Sequence, residues 1–517
     1  MCAARVPESG ETRPRRPVAG ELTSMDEPLR IMMLSAEVAP YAKTGGLGDV
    51  VAALPKALAA LGHEVRVFLP YYGPIEKSAY AVQTEIPRLS VPMERWEEPA
   101  ELKRLDVDGV AIGFVASDRY FKRENIYGYP DDGQRFVFFC RCALEAVKAL
   151  GWRPHVIHCH DWHTGLVPNW LKTVYRDDPF FKGTSSALTI HNLAFQGLFG
   201  WEILEIAGIS EHGFIRSMSH PERSEVLDFM ARGIIFADKI TTVSERYAKE
   251  IVTPEYGERL DDFLRERQND LVGILNGIDT EVQNPATDPN LPFKFDRGSF
   301  GLKAKNKEAL QRESRLAIDP ARPLFGVVSR LTNQKGLDLV MQVTPAMLRL
   351  GAQLIVLGVG DPQVEEAFRS LAAQFSDGVA AHITFDPALA QRVYGGADML
   401  LVPSRFEPCG LTQMFAMRYG TVPVVRETGG LADTVNDYST DSDGGTGFTF
   451  RPFEALDLMA AIARAVETYR RPEEWRLLAL RCMDQDFSWS RSAAKYEALF
   501  RAMATAKSLP AGTAPSR

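Results

Sequence analysis

The feature that most constrains the fold of this chain is a repeated alternation of short apolar strands with helical patterns. From Leu29 the order is a strand, a glycine-rich loop, a helix and a second strand: LRIMMLSAEVAP, KTGGLGD, VVAALPKALAALG and HEVRVFLP. After the polar stretch NPATDPNLPFKFDRG the alternation begins again with PLFGVVS, LDLVMQVTPAMLRLG and AQLIVLGVGD. Strands that alternate with helices of about 10 to 15 residues are typical of parallel sheets covered by helices. The sequence therefore predicts an α/β protein with two doubly wound halves.

Two nine-residue segments, one in each half, repeat the same glycine-rich loop. KTGGLGDVV at 43–51 and ETGGLADTV at 427–435 share Thr, Gly, Gly, Leu, Asp and Val at matching offsets. Each follows a predicted strand and precedes a predicted helix, where free N–H groups and the helix dipole favour phosphate. Neither segment is a Rossmann or Walker motif, so a tight turn is the alternative interpretation. Lys43 places a cation beside the first loop, which favours an anion-binding role.

Three charged residues follow predicted strands of the second half, at the sheet edge where open α/β sheets bind ligands. The segment SRLTNQKG places Arg330 and Lys335 in one short loop, so that two cations can converge on one anionic group. Glu407 in SRFEPCG follows the apolar strand ADMLLVPS and is a candidate for sugar binding or catalysis. The alternatives are a solvated surface loop for the two cations and a capping or ion-paired role for the glutamate.

Five of the nine histidines lie between residues 155 and 191. The run HCHDWH suggests a metal site, but His163 lies beyond the end of the strand on which His158 and His160 share one face. No HExxH motif or Cys/His quartet accompanies these residues. We therefore interpret the region as the polar lining of a cleft, formed by Asp161, His163, His191 and Asn192.

Composition and charge exclude several classes of protein. The 517 residues carry a net charge of -8 without a long Lys/Arg block, which disfavours nucleic acid as a partner. The six cysteines are scattered and form no CxxC pair, which favours a reducing cytoplasm over a disulfide framework or a zinc ribbon. No apolar run approaches the roughly 18 residues of a membrane span. We interpret residues 1–28 as a disordered tail, because they lack the apolar core of a secretory signal and are too acidic for a transit peptide.

Taken together, these segments resemble the bacterial glycogen synthase and plant starch synthase family, which are glycosyltransferases of the GT-B fold. The resemblance extends from about Leu29 to Met503. Its motifs are KTGGLGDV, HDWHTGLVP, HNLAFQG, ILNGID, NPATDP, VSRLTNQKGLDL, LGVGDP, GGADMLLVPSRFEPCGLTQ and TGGLADTV. It implies two Rossmann-like domains facing each other across a cleft, and a terminal helix that returns to the first domain. The implied ranges are 29–275 and 276–487 for the domains, 488–506 for the helix and 507–517 for a disordered tail.

The resemblance implies retaining transfer of glucose from ADP-glucose to the non-reducing end of an α-1,4-glucan such as glycogen, without a metal or other cofactor. The residues implied in catalysis are Glu407, His191, Arg330 and Lys335. The residues implied in donor binding are Lys43, Gly46, Asp161, Asn276, Phe385, Leu411 and Thr412, with Tyr120 as a further sugar contact. In this interpretation the two cations neutralise the departing diphosphate, which a divalent metal does in many other transferases. Phe385 would stack on the adenine base.

Several alternatives stay open at this level. Glu407 acts either as a covalent nucleophile or as a group that orients the sugar and stabilises an oxocarbenium-like transition state. We favour the second role because no separate general base is evident. The segment TFDPALAQ around Phe385 is less typical of the family, so the preference for ADP over UDP is open.

Two other functions compete with the family's reaction. One is transfer from a nucleotide sugar to a different acceptor by an enzyme of the same fold. The other is a catalytically silent glucan-binding paralogue. A silent paralogue would be expected to lack at least one of five site residues. All five are present in this chain: Lys43, His191, Arg330, Lys335 and Glu407. The implied location is the cytoplasm of a bacterium rather than a plastid.

Overall fold

The computed structural model describes residues 27–223, 225–439 and 444–508. Within these ranges the chain forms two largely parallel sheets with helices packed against them, which confirms the predicted fold class. The predicted N-terminal tail at 1–28 lies outside the described residues except for its last two positions. Of the predicted C-terminal tail at 507–517, only the first two positions are described, and they belong to a helix.

The strands fall into a first and a second half of the chain. Those of the first half are β1 (Arg30–Leu34), β2 (Glu64–Pro70), β3 (Gln83–Pro92), β4 (Glu97–Val107), β5 (Val110–Ala116), β6 (Val156–His160), β7 (Ser185–Ile190), β8 (Leu198–Phe199), β9 (Leu227–Asp228), β10 (Lys239–Thr242) and β11 (Leu271–Gly273). Those of the second half are β12 (Leu324–Val328), β13 (Gln353–Leu357), β14 (Val379–His382), β15 (Met399–Val402), β16 (Val422–Arg426) and β17 (Phe448–Phe450).

The α-helices alternate with these strands. The first half contains α1 (Gly46–Ala60), α2 (Gly73–Glu76), α3 (Asp118–Phe121), α4 (Asp132–Ala149), α5 (Leu166–Lys172), α6 (Trp201–Ile206), α7 (Phe229–Phe236), α8 (Glu245–Glu250) and α9 (Asp261–Glu266). The second half contains α10 (Lys303–Glu313), α11 (Leu337–Arg349), α12 (Pro362–Gln374), α13 (Pro387–Gly396), α14 (Thr412–Arg418), α15 (Gly429–Thr434), α16 (Ala455–Tyr469), α17 (Pro472–Met483) and α18 (Trp489–Ser508). Short 3₁₀ helices lie at Trp162–Thr164, Ser210–His212, Pro221–Arg223, Gln268–Asp270, Phe300–Leu302 and Asn333–Lys335.

Strand order places a topological switch point in each sheet. The first sheet has the order β11-β10-β7-β6-β1-β2-β5-β4-β3, and the second has β14-β13-β12-β15-β16-β17. In the first sheet the chain passes from β1 to β2 on one side of β1 and later returns as β6 on the other side. In the second sheet it passes from β12 to β13 on one side of β12 and later returns as β15 on the other side. Because ligands of open α/β sheets bind where the strand order reverses, the loops after β1, β6, β12 and β15 are the expected site.

Hydrophobic periodicity explains the individual elements. Strand β1 is an almost continuous buried apolar run, as expected for a parallel strand with helices on both faces. Helix α1 instead buries one stripe at helical spacing, formed by Leu47, Val50, Val51, Leu54 and Leu58. Each half has its own large hydrophobic core, one built on the first sheet and one on the second.

An antiparallel extension of the first sheet was not predicted. Strands β3, β4 and β5 form a meander in which β4 runs antiparallel to both neighbours. The outer strands are rich in charged and half-exposed residues, so they lack the apolar pattern on which the βαβ prediction depended. Charged side chains on the edge strand β3 also protect it from pairing with another chain.

The chain crosses between the halves twice, and the two crossings lie side by side. Ile278 N donates to Phe487 O at 2.8 Å, and a Cβ at Gly277 would come within 2.7 Å of Trp489 Cα. Helix α18 then packs on α1 and on strands β6 and β7 of the first sheet, where it buries Tyr496, Phe500 and Met503. Among the described helices, none combines the length and apolarity needed to cross a membrane.

Candidate active site

A cavity of about 620 Å³ lies between the two halves, at the carboxyl ends of both sheets. It is bounded by the loops that follow β1, β6 and β7 on one side and β12 and β15 on the other. Eleven residues predicted from the sequence line it: Gly46, Asp161, His163, His191, Asn192, Asn276, Arg330, Lys335, Glu407, Leu411 and Thr412. Residues that are far apart in the sequence are brought together here because the two switch points face each other.

Glu407 is held in place by two donors on one oxygen. Lys335 Nζ lies 2.7 Å from Glu407 Oε2, and Ser404 Oγ donates to the same oxygen at 2.8 Å. Glu407 is only 6% exposed. Its Oε1 makes no hydrogen bond to any residue in the described ranges, so this oxygen is available to a ligand.

The loop that carries Lys335 packs tightly against the strand that leads to Glu407. Gly336 has φ +66°, and a Cβ there would lie 2.0 Å from Pro403 O. Only glycine meets both conditions, the left-handed backbone and the close approach. Arg405 ties the loops together further, since its Nε donates to Asn333 Oδ1 at 3.0 Å.

Arg330 contributes a second cation to the same wall. It follows β12, lines the cavity and is exposed. Its guanidinium forms neither a hydrogen bond nor an ion pair with any residue that the structure describes. Arg330, whose side chain has no partner in the described part of the chain, lies on the same wall as Lys335 and is suited to receive an anionic ligand.

The opposite wall is built around Asp161. Its carboxylate Oδ1 accepts a hydrogen bond from His191 N at 2.7 Å, and its backbone has φ +57° and ψ -175°. This region of backbone space is nearly restricted to glycine, and such strain is concentrated at functional sites. Burial raises the pKa of Asp161 to about 7, although the amides of His191 and Asn192 oppose the shift.

His191 is oriented by a second buried histidine. His160 Nδ1 lies 2.9 Å from His191 Nε2, and His160 Nε2 is buried without a partner among the described residues. A buried N–H without an acceptor is rarer than a buried lone pair without a donor, so the proton is assigned to His160 Nδ1. His191 Nε2 then accepts, and its Nδ1 carries the proton that can be donated to a ligand. Burial lowers the pKa of His191 to about 3, so the ring is neutral.

The first TGG loop is closed by a carboxylate that the sequence did not reveal. Glu37 Oε2 accepts hydrogen bonds from Thr44 N at 2.6 Å and from Gly45 N at 3.0 Å. Its Oε1 accepts from Thr44 Oγ1 and from Tyr127 OH, each at 2.7 Å. A Cβ at Gly46 would lie 3.4 Å from Leu411 Cδ1, so this loop faces α14 closely across the cavity.

Four further residues line the cavity that the sequence did not predict as site residues: Glu37, Tyr127, Gln334 and Ser404. For Glu37 and Ser404 a signal existed, since each comes shortly after a strand that borders a switch point. Tyr127 lies in an irregular segment before α4, where no pattern marks it.

Three predicted residues do not line the cavity. Lys43 lies at its rim, half-exposed, with Nζ 2.6 Å from Asp49 Oδ1. Phe385 is 77% exposed in the loop between β14 and α13. Tyr120 is 1% exposed in an aromatic core, and its hydroxyl accepts a hydrogen bond from Gln134 Nε2 at 2.8 Å. The roles of these residues stay predictions.

The described parts of the chain contain no group of three or more His, Cys, Asp or Glu side chains arranged to hold a metal ion. The histidines of HCHDWH instead form a buried neutral cluster, because burial lowers the pKa of His158 to about 3 and holds that of His160 well below its ordinary value. The metal-free reaction therefore stays a prediction.

Comparison with known proteins identifies the family. One family model, described as starch synthase catalytic domain, matches residues 30–266, and another, described as glycosyl transferases group 1, matches 310–477. The glycogen synthase of Desulforudis audaxviator is 44% identical over 494 residues, which cover 92% of this chain and 97% of that protein. The glycogen synthase of Moorella thermoacetica is 46% identical over 484 residues, with coverage of 92% and 97%. The chain belongs to the glycogen synthase family.

Members of the glycogen synthase family are glycosyltransferases, and this chain is therefore an enzyme of that class. Its structure is similar to the catalytic domain of starch synthase IV from Arabidopsis thaliana bound to ADP and acarbose. The TM-score is 0.85 at 35% identity, covering 93% of this chain and 100% of that one. Sucrose-phosphate synthase from Thermosynechococcus elongatus has a TM-score of 0.57 at 18% identity, a similarity that shows the shared GT-B fold alone.

Proposed function

We propose that this glycogen synthase homologue transfers glucose from ADP-glucose to the non-reducing end of an α-1,4-glucan, with retention of the anomeric configuration. The observation that carries the proposal is the Lys335–Glu407 pair at 2.7 Å in the cavity between the halves, beside Arg330, whose side chain has no partner among the described residues. A carboxylate and two cations on one wall suit a reaction that builds positive charge on a sugar and negative charge on a leaving diphosphate.

The donor diphosphate is assigned to the cationic wall. Arg330 and Lys335 offer positive charge, and Leu411 and Thr412 lie at the start of α14, where free N–H groups favour phosphate. Gly46 lies directly opposite, so that a diphosphate is approached from both halves. Lys43 lies at the rim, and its release from Asp49 would add a further cation.

The glucose is assigned to the space between Asp161 and Glu407. His191 Nδ1–H can donate to a sugar hydroxyl, and Asp161 can accept from one. Asn276 also lines this space, and its buried Oδ1 has no partner among the described residues. A buried polar atom without a partner requires an explanation, and a ligand hydroxyl supplies one.

The nucleoside is assigned to the loop after β14. This strand lies two positions from β12 in the sheet, or roughly 10 Å at about 4.8 Å per strand. Phe385 is exposed there, and its ring face is open to an adenine. Tyr120, predicted as a sugar contact, is buried and is not part of the cavity lining, so no direct contact with the sugar is assigned to it.

In the proposed reaction the bond between glucose C1 and the diphosphate oxygen breaks, and a bond forms from C1 to the acceptor O4 on the same face. The acceptor proton passes to the departing phosphate, so no separate general base is required. Glu407 stabilises the positive charge that develops at C1. Lys335 and Ser404 hold Oε2 and leave Oε1 free to face C1. We favour electrostatic stabilisation over nucleophilic attack because no separate general base is evident.

We also propose that the reaction needs no metal, since two fixed cations supply the charge that a divalent ion would provide. A cytoplasmic location is supported by the five described cysteines, all of which are free and buried thiols. The expected substrates are the nucleotide sugar and the glucan, and nucleic acid is not an expected partner.

The proposal is tested by incubating the purified chain with glycogen and either ADP-glucose or UDP-glucose in the presence of a chelator. Release of nucleoside diphosphate from ADP-glucose, with new α-1,4 linkages in the product, is the expected result. Glu407→Gln should lower kcat by about 10²- to 10³-fold or more, the range found when a preorganised electrostatic group is removed. Glu366→Gln, a side chain that is 70% exposed on α12, serves as the control. Transfer to a non-glucan acceptor, or full activity of Glu407→Gln, would contradict the proposal.

A further inference from the structure

The second TGG loop holds a carboxylate in the same manner as the first. Glu250 accepts hydrogen bonds from Gly429 N at 3.1 Å on Oε1 and at 3.0 Å on Oε2. Its Oε2 lies 3.3 Å from Thr428 Oγ1, which donates to it. The threonine hydroxyl and the first glycine N–H of the other loop bind Glu37 in the same way. The repeat found in the sequence is thus also a repeat in how a buried carboxylate is bound.

The two carboxylates differ in where they come from. Glu37 belongs to the same half as its loop, whereas Glu250 lies on α8 of the first half and reaches a loop of the second. Glu250 is 7% exposed, and Arg246 Nε donates to it at 3.0 Å. Two further bonds cross the same boundary, from Ser244 Oγ to Pro408 O at 2.6 Å and from Arg246 N to Asp433 Oδ2 at 2.8 Å.

The loop that Glu250 holds is in direct contact with the backbone of Glu407. Gly430 N donates to Glu407 O at 3.0 Å and to Pro408 O at 3.2 Å. A Cβ at Gly429 would lie 1.9 Å from Glu407 O, and one at Gly430 would lie 2.0 Å from Cys409 O. This contact is therefore restricted to glycine, and a shift of the TGG loop is transmitted directly to the segment 407–409.

We propose that Glu250 is a positioning residue for Glu407, acting from the opposite half of the molecule through Gly429 and Gly430. This inference rests on the catalytic role of Glu407 in the proposed function. Glu250 is not among the residues that line the cavity, so it is not expected to touch substrate. It fixes the backbone of Glu407 only while α8 is docked on α15, which couples the geometry of the carboxylate to contact between the halves.

Removal of the carboxylate leaves Gly429 N–H buried without an acceptor. A buried unpaired donor is costly, so the loop is expected to shift until this group finds water or another acceptor. A displacement of about 1 Å at a catalytic group can cost about 100-fold in rate. The consequence should be larger in turnover than in donor binding, because the two cations assigned to the diphosphate lie on a different loop and only Leu411 and Thr412 follow the segment that shifts.

Glu250→Ala and Glu250→Gln test the proposal in the full-length chain with ADP-glucose and glycogen. Glu250→Ala should lower kcat by about 10- to 100-fold while the KM for ADP-glucose changes by less than about threefold. Glu250→Gln keeps a carbonyl oxygen for Gly429 N and should recover part of this loss. Glu255→Ala, an exposed glutamate in the loop after α8, is the matched control and should leave both constants unchanged. If Glu250→Ala fails to fold, as judged by its thermal transition, Glu250→Gln carries the test with a smaller expected loss.

The Glu407→Gln background separates positioning from a general structural effect. If Glu250 acts only through Glu407, adding Glu250→Ala to Glu407→Gln should lower the residual turnover no further. An additional loss of the same size as in the wild-type background, or wild-type kcat in both Glu250 variants, would overturn the inference. Failure of the proposed function gives a different result, because wild-type protein would then show no glucan transfer or Glu407→Gln would be fully active.

Discussion

Replacing Lys335 by methionine removes the cation of the buried pair while keeping most of the apolar length of the side chain. Lys335 Nζ lies 2.7 Å from Glu407 Oε2, and the two side chains are 17% and 8% exposed. At this distance Coulomb attraction is about 6 kcal/mol with an effective dielectric constant of about 20, which sets an upper bound. Breaking a buried pair costs about 3–5 kcal/mol. Since Ser404 and the open cavity still solvate the carboxylate, we expect the free energy of unfolding to fall by about 2–4 kcal/mol.

A double variant shows whether Lys335→Met loses stability through the lost attraction itself or because Glu407 is left buried without its cation. In Lys335→Met/Glu407→Gln neither member of the pair is charged, so no buried carboxylate is left without its cation and most of the lost stability should return. Activity should not return, because both groups are assigned to the transition state. The matched control is Lys56→Met, which breaks a pair to Asp108 at the same 2.7 Å but with side chains 44% and 61% exposed. Such exposed pairs contribute about 0–1 kcal/mol, so this variant should be nearly neutral.

The measurements are urea denaturation of all four proteins and initial rates of ADP release. Lys335→Met alone should lower kcat by about 10²- to 10³-fold through loss of charge stabilisation at the departing diphosphate. The reasoning is refuted if Lys335→Met is as stable as the wild type, or if the double variant is as unstable as the single one. Either result would mean that Glu407 does not depend on Lys335 for compensation of its buried charge.

Three further predictions concern the scaffold. Gly336→Ala places a Cβ 2.0 Å from Pro403 O at φ +66°, so it should lower the free energy of unfolding by more than about 1–3 kcal/mol. It should also reduce the affinity for ADP, which titration calorimetry measures. Phe500→Ala should lower the free energy of unfolding by about 3–5 kcal/mol, because Phe500 is fully buried where α18 packs on the first half. A decrease below about 1 kcal/mol would argue against that packing. The free energy of unfolding should fall as the pH is lowered from 6.5 to about 4, because burial lowers the pKa values of four histidines, which take up protons on unfolding: His158, His160, His163 and His191. Burial raises the pKa values of Asp161 and Asp228 to about 7, and these two aspartates act in the opposite direction but are outnumbered. Denaturation across this range should show net proton uptake, and a constant stability would contradict it.

Much of the fold was predictable because local patterns carry it. Buried apolar runs such as β1 and β12, and helical stripes such as that of α1, follow from periodicity alone. The order of these elements then predicts parallel sheets, because a strand–helix–strand unit packs in only one way. The antiparallel pairing of β3 and β4 escaped prediction, since these two strands are amphipathic and charged and add to the sheet through β5, which itself pairs in parallel with β2.

The candidate site was predictable to the extent that its residues follow strands. Arg330, Lys335 and Glu407 could be selected because the carboxyl edge of a parallel sheet is where ligands bind. The contact between Lys335 and Glu407 could not be predicted, because these residues are 72 positions apart in the sequence. Glu37 carried only a positional signal, since it comes shortly after β1, and its role of holding a loop through backbone N–H groups does not distinguish it from other glutamates.

By itself, the sequence determined the two doubly wound halves, the repeated TGG loops and the family to which the chain belongs. The tertiary structure alone decided which carboxylate each loop receives. Glu37 comes from the same half, whereas Glu250 reaches its loop from 179 residues away across the boundary between the halves. The physical reason is that a backbone N–H donates a hydrogen bond to any nearby carboxylate oxygen. Local sequence therefore determines that such a loop needs a partner, and only the packing of the two halves determines which residue supplies it.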